Sequence, residues 1–232
     1  IALVLFLRAT KKEVAMMKGN RMMFFIFMLG TFTVGMAEYV VTGLLTQIAS
    51  DMKVSISSAG LLISVYAVSV ALIGPFMRIF TMNVRAKRLL PILVAIFIGS
   101  NVVGMLAPNF QVLLLSRLLS ASMHAPFFGV CMSVAAAVAP RGKQPQAIAL
   151  VQAGLTIAVM IGVPFGSFLG GFANWRAVFG VMIGLAIITM LGMLKFVPDV
   201  SLSTESNVKN ELKVFKNPHI LIVMAIIVFG YS

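Results

Sequence analysis

Six apolar stretches, each long enough to cross a bilayer and separated by short polar breaks, constrain this chain more than any other feature. They fall at residues 22–47, 59–80, 89–107, 111–138, 147–172 and 177–196. An α-helix rises about 1.5 Å per residue, so roughly 20 residues cross about 30 Å of hydrocarbon. No water is available there to unpaired backbone N–H and C=O groups, and a helix satisfies all of its own. The spacing therefore predicts an all-α membrane protein, a bundle of six transmembrane helices. A seventh apolar stretch starts near Pro218, a residue suited to a first helical position, and runs only to Ser232. That is shorter than the roughly 17 residues a span needs, so the chain is read as a fragment carrying the start of a seventh helix.

Lys and Arg lie between the spans. Of the 18, fifteen fall before the first span or on the same side of later ones: Arg8, Lys11, Lys12, Lys18, Arg21, Arg78, Arg85, Lys87, Arg88, Arg141, Lys143, Lys195, Lys209, Lys213 and Lys216. Lys53 and Arg176 lie on the other side, and Arg117 lies inside the fourth span. The positive-inside rule then puts the N-terminus in the cytoplasm. In a soluble chain a net charge of +12 would point to nucleic acid. Here only 10% of residues are charged, against about 25% in an ordinary soluble domain, and mean hydropathy is +1.06. The basic residues set topology, and the lipid bilayer replaces nucleic acid as the expected partner.

Four regions follow. Residues 1–21 form a cytoplasmic N-terminal segment. Within residues 1–15, the block IALVLFL is too short to span and precedes its basic residues, the reverse of a signal peptide. Lys12-Glu13-Val14 also back-translates to a purine-rich AAGGAGGT ahead of Met16, so a non-native read-through and a basic amphipathic leader both stay open. Residues 22–197 form the six-helix bundle. Residues 198–217 are polar and of mixed charge, with Asp199, Glu205 and Glu211 among lysines, and read as a cytoplasmic linker. Residues 218–232 are the truncated start of the seventh helix.

In the fifth stretch, Gly154, Ala158, Gly162, Gly166 and Gly170 recur every fourth residue, with Gly171 beside the last. On a helix they form a ridge almost without side chains, and small residues four apart let transmembrane helices approach closely. A neighbouring helix should lie against this ridge. Pro164 removes one backbone hydrogen bond within it and should bend the helix.

The fourth stretch carries the candidate chemistry. A charge inside hydrocarbon costs about 2.5 to 3.5 kcal/mol on insertion scales, so Arg117 should face a cavity or a partner. Ser120 and His124 follow at offsets that share its helical face. His124 reads either as a cavity residue or as a satisfied core histidine. The one acidic residue in the spans, Glu38, lies roughly 13 Å deep and Arg117 roughly 10 Å at 1.5 Å per residue. A Glu38–Arg117 pair is therefore expected, either as a coupling carboxylate and its cation or as a static ion pair. The sequence has a single cysteine, Cys131, and two histidines, His124 and His219, with no cluster of metal-ligating residues. This argues against a disulfide, a metal site or a metal-dependent membrane enzyme.

IGVPFGSFLGG, within residues 154–171, resembles the fifth-helix antiporter motif of the major facilitator superfamily, in particular its drug:proton antiporter branch of sugar- and purine-efflux permeases. Ala37-Glu38-Tyr39-Val40 resembles that branch's first-helix Thr-Glu-Phe signature. Residues 106–130 resemble its third-to-fourth-helix segment, and residues 174–179 its Trp-Arg-x-x-Phe turn. The resemblance covers residues 22–197. It departs in two places. Pro164 precedes Gly166 where the family usually has Gly-Pro ahead of the last glycine pair. In the second-to-third loop, Gly74 is followed by Arg78, Arg85, Lys87 and Arg88 without the usual aspartate. The family latch on the cytoplasmic side should then be altered, or these residues only anchor the loop to anionic lipid while Gly74 and Pro75 end the second helix.

The resemblance implies two inverted three-helix repeats and a missing C-terminal six-helix half. It implies a bacterial inner-membrane efflux permease that exchanges a small molecule for protons, with the proton gradient in place of a cofactor. It assigns Arg117 to proton coupling and places His124 and Glu38 at the cavity. The alternatives are an inactive or structural half-bundle and a channel subunit.

Overall fold

The computed structural model describes residues 20–81 and 84–200, the side chains of Pro75, Arg78 and Ile79 excepted. The N-terminal leader, the linker beyond residue 200, the seventh stretch and His219 lie outside the described residues. All described residues belong to one compact unit.

The first span is α1 (Arg21–Tyr39), a 3₁₀ stretch (Val40–Leu44) and α2 (Leu45–Asp51). The second is α3 (Ile56–Thr81) and the third α4 (Ala86–Met105). The fourth divides into α5 (Phe110–Ser122) and α6 (His124–Val138). The fifth divides into α7 (Gln144–Ile157), a π turn (Ala158–Gly162) and α8 (Val163–Phe172), and α9 (Trp175–Phe196) is the sixth. Six of the described helical stretches are long and apolar enough to cross a membrane, as the sequence predicts.

Local chemistry sets the ends. Asn109 and Asn174 cap the fourth and sixth spans, their Oδ1 atoms accepting from the backbone N–H of Val112 and Arg176, each at 3.0 Å. Gly142 turns the chain before α7 at φ +80°, where a side chain would be strained. The second helix does not end at Gly74 and Pro75 but continues to Thr81. Gly74 is instead a point of close approach to the fourth span, since an added Cβ would lie 2.8 Å from Ala125 Cβ.

The spans pack first against fifth, second against fourth, third against sixth, first against sixth and third against fourth. This set maps onto itself when spans one, two and three exchange with four, five and six. Three is odd, so the second triplet crosses in the opposite sense, and the pairing is that of two inverted repeats.

The glycine ridge lies along the first span. An added Cβ at Gly154 would overlap the Met28 carbonyl oxygen and Thr31 Oγ1; one at Gly166 would overlap Val40, and one at Gly170 would overlap Leu44. At Gly162 it would stand 3.3 Å from Met36 Cγ, and Ala158 Cβ faces Gly35. At Gly171 an added Cβ would meet the first span only at ordinary contact distance, 3.7 Å from the Gln47 side-chain amide. The close approach also lets Thr31 Oγ1 donate across the helix pair to the Val151 carbonyl at 2.6 Å. Just ahead of Pro164, where a bend is expected, the helix carries the π turn. There the Val163 N–H donates to the Ala158 carbonyl, five residues back, so the ladder skips one residue ahead of the proline ring.

Candidate functional site

Two helices break at the residues that carry charge or a proton. In the first span regular α-helix ends at Tyr39, one residue after Glu38, and tightens into the 3₁₀ stretch. In the fourth it stops at Ser122 and restarts at His124. Pro126 is the cause, because its ring has no N–H for the Ser122 carbonyl and clashes with it. The ladder resumes with the Phe127 N–H donating to the Met123 carbonyl at 3.0 Å.

His124 is the hub. Its Nδ1 lies 3.0 Å from the Tyr66 hydroxyl of the second span, and its Nε2 lies 3.8 Å from Glu38 Oε2 of the first. The first is a hydrogen bond; the second is beyond hydrogen-bond length and within ion-pair range. Phe128, one turn on, stacks on the imidazole at 4.7 Å and 7°, while Tyr66 meets it edge-to-face at 83°. The His124 side chain is 12% exposed and that of Glu38 29%. Tyr39 also interacts with the Glu38 carboxylate.

Arg117 is buried, at 1% exposure, with its guanidinium carbon 4.3 Å above the Tyr66 ring centroid. A desolvated cation over an aromatic face gains about 2 kcal/mol, which offsets part of the cost of burying the charge. Its guanidinium nitrogens make no hydrogen bond among the described residues, so the direct Glu38–Arg117 pair expected from their depth is not formed. The two charges still interact through space, but the contact with Glu38 is made by His124. Ser120 is buried on the same helical face, beside Tyr66.

Glu38, Arg117, Ser120 and His124 thus come together. Tyr66 was missed by sequence reasoning; its signal is a rare polar ring, one of three tyrosines, well inside an apolar stretch. The glycine ridge and the loop residues lie elsewhere. Among the described residues, no three His, Cys, Asp or Glu side chains gather to hold a metal.

At the basic end of the bundle, Lys87 and Arg88 are exposed on the first turn of α4, and the Arg78 side chain lies outside the described residues. Arg85 does have an acidic partner, contrary to the reading of the loop alone: its Nη1 lies 3.0 Å from Asp199 Oδ2, just past the sixth span. At the opposite end, Asp51 accepts from Arg176 and, at 3.0 Å, from Trp175 Nε1. Arg176 also donates to the Ala107 carbonyl at 3.2 Å and lies 4.3 Å over the Trp175 ring.

The model of the Major Facilitator Superfamily matches residues 27–232. The chain belongs to this superfamily. Among superfamily proteins it is 46% identical over 208 residues to the MFS-type transporter YfhI of Bacillus subtilis (strain 168), covering 90% of this chain and 52% of that protein. It is 38% identical to the inner membrane transport protein YdhP of Escherichia coli (strain K12), covering 87% and 52%. A Helicobacter pylori (strain J99) protein named "Probable sugar efflux transporter" is 34% identical, with 87% and 53% covered. The chain therefore spans about half the length of the curated relatives it matches. Among solved structures, a crystal structure of the peptide transporter POT shares the fold at a TM-score of 0.67 and 13% identity, covering 93% of this chain and 46% of that one.

Proposed function

We propose that this chain is the N-terminal half of a proton-coupled exporter of a small molecule in a bacterial inner membrane, its basic end in the cytoplasm. The observation that carries this reading is the meeting of Glu38 and His124 at two helix breaks, beside the buried Arg117 and Tyr66. Intramembrane ionisable residues on facing, discontinuous helices are the parts from which proton relays and transporter sites are built. Glu38 is the exchangeable carboxylate, His124 its immediate partner, and Arg117 the fixed charge that biases it. The export sense is supported by the name of the Helicobacter relative and the inner membrane by that of YdhP. The rest of the substrate cavity comes from the second half, and the proton gradient supplies the energy. In the complete transporter, Glu38→Gln should abolish proton-driven efflux while leaving folding and substrate binding in place. Efflux measured from inverted vesicles with an unchanged pH dependence would remove Glu38 from that role.

A further inference from the structure

The buried hydroxyl of Tyr66 has a task that packing does not explain. Its ring is held between Arg117 at 4.3 Å and the edge of His124, and the imidazole is held in turn by Phe128 stacked at 4.7 Å. With both rings fixed, the Tyr66 hydroxyl sits 3.0 Å from Nδ1, on the opposite side of the imidazole from Glu38. A neutral imidazole carries one proton, and which nitrogen holds it is set by the hydrogen bond made by the other.

We infer that Tyr66 is a positioning residue for proton coupling: its hydroxyl, able to donate to Nδ1 or accept from it, lets His124 hold either tautomer and so either donate to Glu38 or accept from it. With Glu38 ionised, the Tyr66 O–H donates to Nδ1, and Nε2–H points at the carboxylate. With Glu38 protonated, the 3.8 Å between Oε2 and Nε2 closes by about 1 Å and the carboxyl O–H donates to Nε2. The imidazole proton then sits on Nδ1 and is accepted by the Tyr66 oxygen, whose own proton turns to Ser120 Oγ beside it. The two states differ by the single proton on Glu38, and the imidazole is neutral in both. A hydroxyl serves here because it both donates and accepts; an amide N–H or a bare ring cannot. The titratable groups facing His124 are Glu38 from the first span, Tyr66 from the second and Arg117 from its own, with Tyr39 of the first span against the Glu38 carboxylate. The inference rests on the proposed coupling role of Glu38.

The test is nitrogen-15 NMR of histidine in the chain in lipid bilayers. The chain has two histidines, so His219→Asn leaves His124 as the one signal. The unaltered site should pass from Nε2–H to Nδ1–H as the pH falls. Tyr66→Phe keeps the ring under Arg117 and should stay Nε2–H throughout, a change in tautomer ratio of about fivefold or more, as loss of a typical hydrogen bond gives. Ser120→Ala removes the acceptor for the turned hydroxyl and should also suppress the low-pH form, which keeps the test available if Tyr66→Phe fails to fold. A Tyr66→Phe or Ser120→Ala protein that titrates like the parent overturns the inference, as does a parent that shows one tautomer at every pH. The vesicle assay on Glu38→Gln is separate: unchanged proton-linked efflux there removes the coupling reading while the tautomer result stands.

Discussion

An added methyl at Gly154 meets the Met28 carbonyl oxygen and Thr31 Oγ1, which belong to a helix backbone and its bonded threonine and have little room to give. At Gly162 it meets side chains alone, Met36 Cγ at 3.3 Å and the Phe32 ring at 3.5 Å, with no backbone atom as close. Gly154→Ala should therefore cost about 1–3 kcal/mol, the usual range for overpacking, and Gly162→Ala under about 1 kcal/mol. Thermal unfolding in detergent measures the difference, and equal losses would contradict the ranking. The ridge itself was legible because its period of four is written in the chain. The ranking was not, because a sequence does not say which atoms stand opposite. The same limit explains the site. Arg117, Glu38 and His124 declare themselves as polar residues in hydrocarbon, whereas Tyr66 is amphipathic enough to pass as core until its hydroxyl is seen against Nδ1.

At the scale of elements, irregular backbone in spans one, four and five stands where polar side chains meet or helices touch. Pro126 was on view in the sequence, yet residues 111–138 read as one helix, because apolarity sets the length of a span and says nothing of its continuity. Removing the proline should restore the missing donor to the Ser122 carbonyl and let α5 run into α6. Pro126→Ala should then change stability by less than about 1 kcal/mol while turning His124 away from Tyr66. If the proposed coupling role holds, proton-linked efflux by the complete transporter should fall at least about tenfold, since misplacing a reacting group by about an ångström can cost far more. Unchanged transport would show that the break does not position His124.

Across the molecule, two charge contacts tie the ends of the bundle, and they differ in kind. Asp51 gathers Arg176 and the Trp175 N–H, and Arg176 reaches on to the Ala107 carbonyl, so three turns meet at one carboxylate. The Arg85–Asp199 pair joins two exposed side chains. Asp51→Ala removes the acceptor shared by the Arg176 guanidinium and the Trp175 N–H and should lower stability by about 1–1.5 kcal/mol, discounted for screening because the carboxylate is 41% exposed. Asp199→Asn should change it by less than about 1 kcal/mol, because water screens a surface pair. Comparable shifts in melting temperature for the two variants would contradict this.

The order, length and alternating sense of the six spans were determined by the sequence alone. Apolar length against a fixed bilayer thickness and unpaired backbone groups against a dry interior leave a chain of this composition no other solution. The glycine ridge and the intramembrane polar residues were legible for the same reason, since each departs from the apolar background in a local, periodic way. Which residues meet was decided only by the tertiary structure. The expected Glu38–Arg117 pair gave way to Glu38–His124, because the break at Pro126 and the Tyr66 ring set the angle of two side chains whose depth the sequence had matched. Depth is a one-dimensional quantity that a helix rise converts into ångströms; contact needs rotation about each helix and the shape of the neighbour, which arise only when the spans pack.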